Sequence, residues 1–518
     1  MLSKTRLLFN TIKFLKPIQI QYRLYYFARK KIRDSIGKKP LFFKESRANC
    51  LNLKESIHIA DCYKSKNKFS FLNLEKQFEN KIDWNCSTHG KLWTYNLTYF
   101  DYLSHTNQKD SLYLIKSFVE NISTIKDGLE PFPISLRGIN WIKYFSYSQI
   151  RDKNIENSLY AQYYILLDNL EYHLLGNHLL ENGFSLLFGA YYFEDEVLYK
   201  KAKEILLKQL EEQILDDGAH FELSPMYHQI MLFRVLDCIN LVQNNSWKEH
   251  DLLAFLRDKS ELMLGWLESI SYKNGEIPLF NDSTNGIAPI SAELFSYATR
   301  LNIKSNKLPL SKSGYRKISK KNYECIIDVG NIGADYIPGH AHADAFNFEL
   351  QINGKPFIVD TGLSTYETNS RRMLERSTCS HNTVEVNGIN QSEVWGGFRV
   401  GNRANIIALN EEIGAIRATH DGYKKENIYH TRKWLFEENS IVIEDSLNKS
   451  ALAVARFHFH PNISEEEILT YLDINEGEIK LEKYNYSPQF NIQKEAIVLN
   501  IYFNNNLKIN INIKLSQA

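Results

Sequence analysis

At 518 residues the chain exceeds one ordinary domain, and its 43% hydrophobic and 24% charged content is that of a folded globular protein. A net charge of +1 excludes a global field that recruits nucleic acid, so no nucleic-acid partner is expected. Six cysteines without C-x-x-C spacing exclude a disulfide framework or a zinc ribbon, and no apolar run is long enough for a secretory core or a membrane span. Those features together place the chain in the cytoplasm as an expectation.

Residues 1–90 read as a basic arm and lead-in. Met1 to Lys44 carries twelve Lys and Arg against the single Asp34. Phe14, Ile18, Ile20, Tyr22, Leu24, Tyr25, Tyr26 and Phe27 interleave with Lys13, Lys16, Arg23 and Arg29. Two readings are open: an amphipathic arm packed on its own protein, or one resting on an anionic membrane surface.

Residues 91–310 read as helical. Apolar positions recur at i, i+3 and i+4 in the segments opening at Asp110, Asn157, Glu196, His228 and Asp251. Asn157 and Ser224-Pro225 have the chemistry of helix starts. Serial helices with short joins predict stacked helix pairs, a toroid rather than a strict solenoid, since no exact repeat is visible.

Residues 311–518 change period. After the polar linker at 305–313, short alternating runs follow, among them Cys325–Val329, Phe346–Ile352, Pro356–Asp360 and Ser440–Asp445. Asn353-Gly354 predicts a type I′ hairpin turn. Many strands without intervening helices predict an antiparallel β-sandwich, with a groove between it and the helical part.

The polar residues that chemistry needs collect in a few blocks. Gly339-His340-Ala341-His342-Ala343-Asp344, Val359-Asp360-Thr361-Gly362 and Ser380-His381-Asn382-Thr383 put three imidazoles and two carboxylates at strand ends. In an ideal hairpin around Asn353-Gly354, Asp360 faces Asn347, so the chain before Asp344 must fold back to bring His342 near it. Within the helical part, Asn177, His178, Glu181 and Asn182 crowd a Leu- and Phe-rich segment, with Asn177 and Glu181 on one helix face. Tyr227-His228 lies beside a helix start, where positive backbone potential lowers a phenol pKa.

The ordered set of motifs resembles the heparinase II/III-like polysaccharide lyases, which include alginate lyases of the same fold. The blocks from Leu92-Trp93 and Pro133–Lys143 through Asn177-His178, Tyr227-His228, His340–Asp344, Asp360 and Ser380–Thr383 spread the resemblance over nearly the whole chain. It implies an incomplete (α/α) toroid followed by an antiparallel β-sandwich. It further implies β-elimination at a uronic acid within an acidic polysaccharide. Asn177 and His178 would contact the carboxylate. Tyr227 would take the C5 proton, protonate the leaving oxygen, or do both, and His340 would be the partner base. Arg137, Glu181 and His228 are assigned to substrate binding beside them. His342, Asp360 and His381 would match a structural Zn2+ site, against a metal-free hydrogen-bonded cluster. The missing export signal favours trimming of surface polysaccharide during its biosynthesis over extracellular degradation.

Three other functions compete. A uronyl C5-epimerase needs the same base pair and returns the proton to the other face. A non-catalytic glycan-binding protein has no need for Asn177, His178, Tyr227 and His340 together. A glycoside hydrolase wants two carboxylates flanking the bond, for which Glu181 and Glu222 stand apart from the His-rich blocks. Oligomeric state and sugar specificity are not written in the sequence.

Overall fold

The computed structural model describes residues 4–37, 40–58, 62–248 and 251–513. Two helices open it, α1 (Lys4–Ile12) and α2 (Pro17–Ser35), followed by a three-stranded sheet of Tyr63–Ser65, Lys68–Phe71 and Leu74–Gln77. These strands are too short to show a period in the sequence. They are fixed by Phe69 and Phe71, which bury into the helical core.

The helical part comprises α3 (Lys91–Tyr99), α4 (Gln108–Asn121), α5 (Pro131–Ser148), α6 (Lys153–Asp168), α7 (Gly176–Phe193), α8 (Glu196–Gln213), α9 (Pro225–Gln243), α10 (Asp251–Ile270) and α11 (Ser291–Arg300). Helix α7 packs on α5, α8 and α9, and α10 on α9. Nearly every residue of α7 and α9 is buried, whereas α8 keeps a polar face. The first two are therefore inner helices and α8 an outer one, the arrangement of an incomplete (α/α) toroid. Ser224 caps α9 by accepting from Tyr227 N–H at 3.2 Å, with Pro225 in the first turn. The expected start at Asn157 lies inside α6. Asp152 caps that helix through Asn154 and Ile155 N–H, and Asn157 Oδ1 accepts instead from Ser46 N–H at 2.9 Å.

The C-terminal part is antiparallel. A six-stranded sheet built on Ala415–His420, His430–Phe436 and Ser440–Leu447 faces two four-stranded sheets, one holding Phe348–Ile352 and Lys355–Ile358, the other Ala453–His458 and Ile492–Phe503. All three sheets contribute to one apolar cluster, which makes the unit a β-sandwich. Ile352 pairs with Lys355 around Asn353 and Gly354, whose φ angles of 50° and 72° are those of the expected type I′ turn. A β-bulge between Leu350 and Gln351 shifts the register by one residue, pairing Leu350 with Ile358, and beyond it the Asn347 side-chain amide donates to Asp360 Oδ2 at 2.6 Å.

The two parts are joined by buried loops. Asp282 N–H donates to His340 C=O, His342 N–H to Asn281 Oδ1 (each 3.0 Å), and Tyr315 O–H to Leu223 C=O at 2.6 Å. All six cysteines are free thiols. No helix among the described residues is long and apolar enough to cross a membrane.

Candidate active site

The start of α7 brings the first motif into place. Gly176 has φ +56°, and a Cβ there would meet Glu222 Oε1 at 2.6 Å, so a side chain would be strained and would displace the Glu222 carboxylate. Glu222 Oε1 accepts from Asn177 N–H at 2.9 Å, satisfying a backbone donor that the helix start leaves open. Glu222 Oε2 accepts from the Asn177 side-chain amide at 2.8 Å, and that amide nitrogen also lies 3.3 Å from His340 Nε2. Asn177 is buried and holds His340 in place, which differs from the expected contact with a substrate carboxylate. His178 is the residue of this pair that keeps an open face. Its Nδ1 is 3.1 Å from Glu171 Oε1, and its ring lies 4.9 Å from that of Phe132. Burial disfavours charging the imidazole, but the Glu171 carboxylate outweighs it and raises the pKa.

Tyr227 and His340 meet across the domain boundary as parallel rings, with centroids 3.9 Å apart and planes inclined by 30°. Burial pushes the Tyr227 phenol above its ordinary pKa, the reverse of the depression expected from the helix start. Its hydroxyl is 3.2 Å from that of Tyr366. His340 Nδ1 is 2.9 Å from Asp282 Oδ2. An ionised carboxylate only accepts, so Nδ1 carries a proton, while Nε2 lies 3.3 Å from the Asn177 amide nitrogen and 3.5 Å from Glu222 Oε2. Phe398 stands edge-on to His340 at 6.0 Å, is 43% exposed, and completes an aromatic wall with Tyr227 and Tyr366.

Asp282 organises this centre. Its Oδ1 accepts from His342 Nε2 at 2.8 Å, and Arg372 forks onto both oxygens at 2.5 and 2.7 Å. Burial alone would raise this carboxyl, but Arg372 and the two imidazoles hold it well below the usual range. Asp282, Arg372 and Tyr366 were not singled out in the sequence, and Glu222 was weighed there only as a hydrolase carboxylate. Asp282 sits in Asn281-Asp282-Ser283, a composition typical of any turn.

Three residues assigned to substrate lie elsewhere. Arg137 is fully buried and donates to Gln162 Oε1 (2.7 Å), Thr98 C=O (3.1 Å) and Gly128 C=O (2.9 Å). Glu181 is fully buried one helical turn below Asn177 and pairs with Arg234 Nε at 2.9 Å. His228 is enclosed: Nδ1 accepts from His220 N–H at 3.1 Å, and Nε2 lies 2.9 Å from Met263 C=O. They brace the inner helices and do not line the groove.

The expected zinc ligands form two separate His–Asp hydrogen-bonded pairs, and burial lowers the His342 pKa to about 4, which keeps that imidazole neutral. His342 is tied to Asp282, and His381 Nδ1 to Asp360 Oδ2 at 2.8 Å. Both Asp360 oxygens are occupied, Oδ1 by Gly362 N–H and Oδ2 by Asn347 and His381, so Asp360 orients His381 and is not a free ligand. His342 Nδ1, His381 Nε2 and Asp344 Oδ2 are buried without a hydrogen-bond partner. Imidazoles with one nitrogen anchored on a carboxylate and the other open have the donor chemistry zinc uses. Among the described residues no three such side chains form a ready-made ligand set.

Models of the heparinase II/III N-terminus and the heparinase II/III-like C-terminal region match residues 154–303 and 303–506. A heparin-sulfate lyase of Bacteroides stercoris is 24% identical over 321 residues, covering 56% of this chain and 46% of that protein. One of Pedobacter heparinus is 24% identical over 292 residues, covering 50% and 42%. The chain thus spans less than half the length of these curated relatives. Among solved structures, a crystal structure of heparinase III matches with a TM-score of 0.64 at 15% identity, over 96% of this chain and 92% of that one. A mutant of the heparan sulfate lyase HepC from Pedobacter heparinus matches with 0.58 at 17% identity, over 88% and 82%. These likenesses show the shared toroid and sandwich, and the two adjoining models run through both parts. The chain belongs to the heparinase II/III-like family.

Proposed function

We propose that this protein is a polysaccharide lyase that cleaves a uronate-containing polymer by β-elimination. The observation that carries the reading is the Tyr227–His340 stack, one ring from each part of the molecule, at a centroid separation of 3.9 Å. His340, in its neutral form, takes the C5 proton on Nε2, exchanging the Asn177 amide for the substrate. The C–H electron pair becomes the C4–C5 double bond, and the C4–O bond breaks. Tyr227, which holds its proton because burial raises its pKa, delivers it to the departing oxygen. Asp282 stabilises the imidazolium formed on His340. His178, whose pKa Glu171 raises, faces the uronate carboxylate and in its protonated form neutralises the charge that develops as C5 is deprotonated.

Zinc belongs to the same reading. It would be held through His342 and His381 and would act as a structural pin on the loop that carries His340, outside the proton transfers.

The test is incubation with a panel of uronate polymers, heparin-type chains included because of the names of the relatives. The expected result is an unsaturated, ultraviolet-absorbing product, lost in His340→Ala. Exchange of C5 hydrogen with solvent deuterium without cleavage would identify an epimerase. Neither signal on any polymer would sink the elimination reading.

A further inference from the structure

Helix α2 is amphipathic in the opposite sense to an ordinary surface helix. Its docked face, residues 19, 22, 26, 29 and 33, is polar and aromatic. Gln19 is buried, and its amide donates to Leu174 C=O at 3.0 Å and Tyr336 C=O at 3.4 Å. Tyr22 stacks on Tyr172 at 4.7 Å, and Tyr26 O–H donates to Leu170 C=O at 2.5 Å. Arg29 and Arg33 pair with Asp168 at 3.2 and 2.6 Å. These contacts fix the rotation of the helix.

The outward stripe, at spacing i, i+4, i+7 and i+11, is Ile20, Leu24, Phe27 and Lys31. The three apolar members are 41%, 65% and 61% exposed. Arg23 and Lys30 border the stripe, and Asp34 is the only acidic residue of the helix. A soluble helix turns its apolar stripe to the core. Here the fold holds that stripe toward solvent, with cations along its edge, which is the pattern of an interfacial helix.

We infer that α2 docks this protein onto an anionic lipid surface. The helix lies in the membrane plane, Ile20, Leu24 and Phe27 enter the headgroup boundary, and Arg23, Lys30 and Lys31 meet lipid phosphates. Charge complementarity selects this occupant. A second copy of the chain would bring Lys31 and its neighbours against their own like charges. The proposal is independent of the catalytic reading.

The experiment is co-sedimentation of the full chain with vesicles of phosphatidylglycerol and phosphatidylcholine in equal parts, and with phosphatidylcholine alone. Binding is expected to the anionic vesicles only and to weaken with added salt. Each basic residue contributes about fivefold near such a surface, so K30E/K31E should weaken binding by at least about twentyfold. L24S/F27S should weaken it by about tenfold or more with an unchanged melting curve, since both side chains are already in water. Equal binding to neutral vesicles, no binding by the parent, or unchanged binding by both double variants would overturn the inference. So would a parent dimer that L24S/F27S dissolves.

Discussion

Replacing Tyr227 by Phe separates chemistry from architecture, because the structure shows what the hydroxyl does for the fold. The ring carries the stack on His340 at 3.9 Å, and Phe keeps that ring. The hydroxyl makes one hydrogen bond, to Tyr366 at 3.2 Å. Losing a single neutral bond of that length costs about 1 kcal/mol or less, so the melting temperature should scarcely move. If the same hydroxyl protonates the leaving oxygen, turnover should fall by about a hundredfold or more, the scale of general acid catalysis. Tyr366→Phe is the internal control. It removes the same hydrogen bond from the other side and leaves the Tyr227 proton in place, so its turnover should fall far less. The assay is ultraviolet absorbance on a responsive polymer, with thermal melts of both variants. Near-parental turnover in folded Tyr227→Phe, or equal losses in the two variants, would refute the assignment of Tyr227 as the acid.

Asp282→Asn should cost about 3–5 kcal/mol of stability, because Arg372 is left buried without its carboxylate, and turnover should drop about a hundredfold as His340 loses its anchor; a denaturant series and kcat measure the two. Glu171→Gln should move the alkaline limb of the kcat/KM profile to lower pH. His178 is held above its ordinary pKa by Glu171 and is protonated below that raised value, so removing the carboxylate lets the proton leave sooner; an unmoved limb takes His178 out of the cationic role. Glu181→Ala should lose about 3 kcal/mol or less by breaking its buried pair with Arg234, which keeps Asp237 at 3.7 Å, with KM of the folded fraction unchanged, and a raised KM would return Glu181 to the substrate site. Elemental analysis of dialysed protein should find zinc in the parent and less in His381→Ala, and equal trace amounts in both would leave two hydrogen-bonded His–Asp pairs and no metal.

The fold was legible because its signals are local and redundant. The change from a 3.6-residue to a two-residue period sets the helical part apart from the strands, and Asn353-Gly354 fixes the register as far as Gln351–Pro356, where a bulge that no local signal announces shifts it by one residue. Where one local signal stood alone, it misled. Asn157 has the right chemistry for a cap, yet Asp152 starts the helix. The sheet at residues 63–77 has no periodic signal, since each strand is only three or four residues long and is placed by two buried phenylalanines.

The site was legible only in its imidazoles and its tyrosine. Histidine is scarce enough that His340, His342 and His381 in neighbouring blocks draw notice. Burial then divides residues that look alike in sequence. Arg137 and Arg372 are both fully enclosed guanidiniums, but Arg137 spends its donors on helix and loop carbonyls whereas Arg372 meets a carboxylate that also grips two imidazoles. Only the second can transmit to the reacting atoms. Asp282 could not be singled out in advance, because its importance comes from four contacts with residues 58 to 90 positions away. A lone Asp in a turn acquires meaning when the loop it sits on is pressed between two domains. Its backbone bond to His340 C=O shows that this happens here, since one short segment fixes both the main chain and the ring of His340, the proposed base.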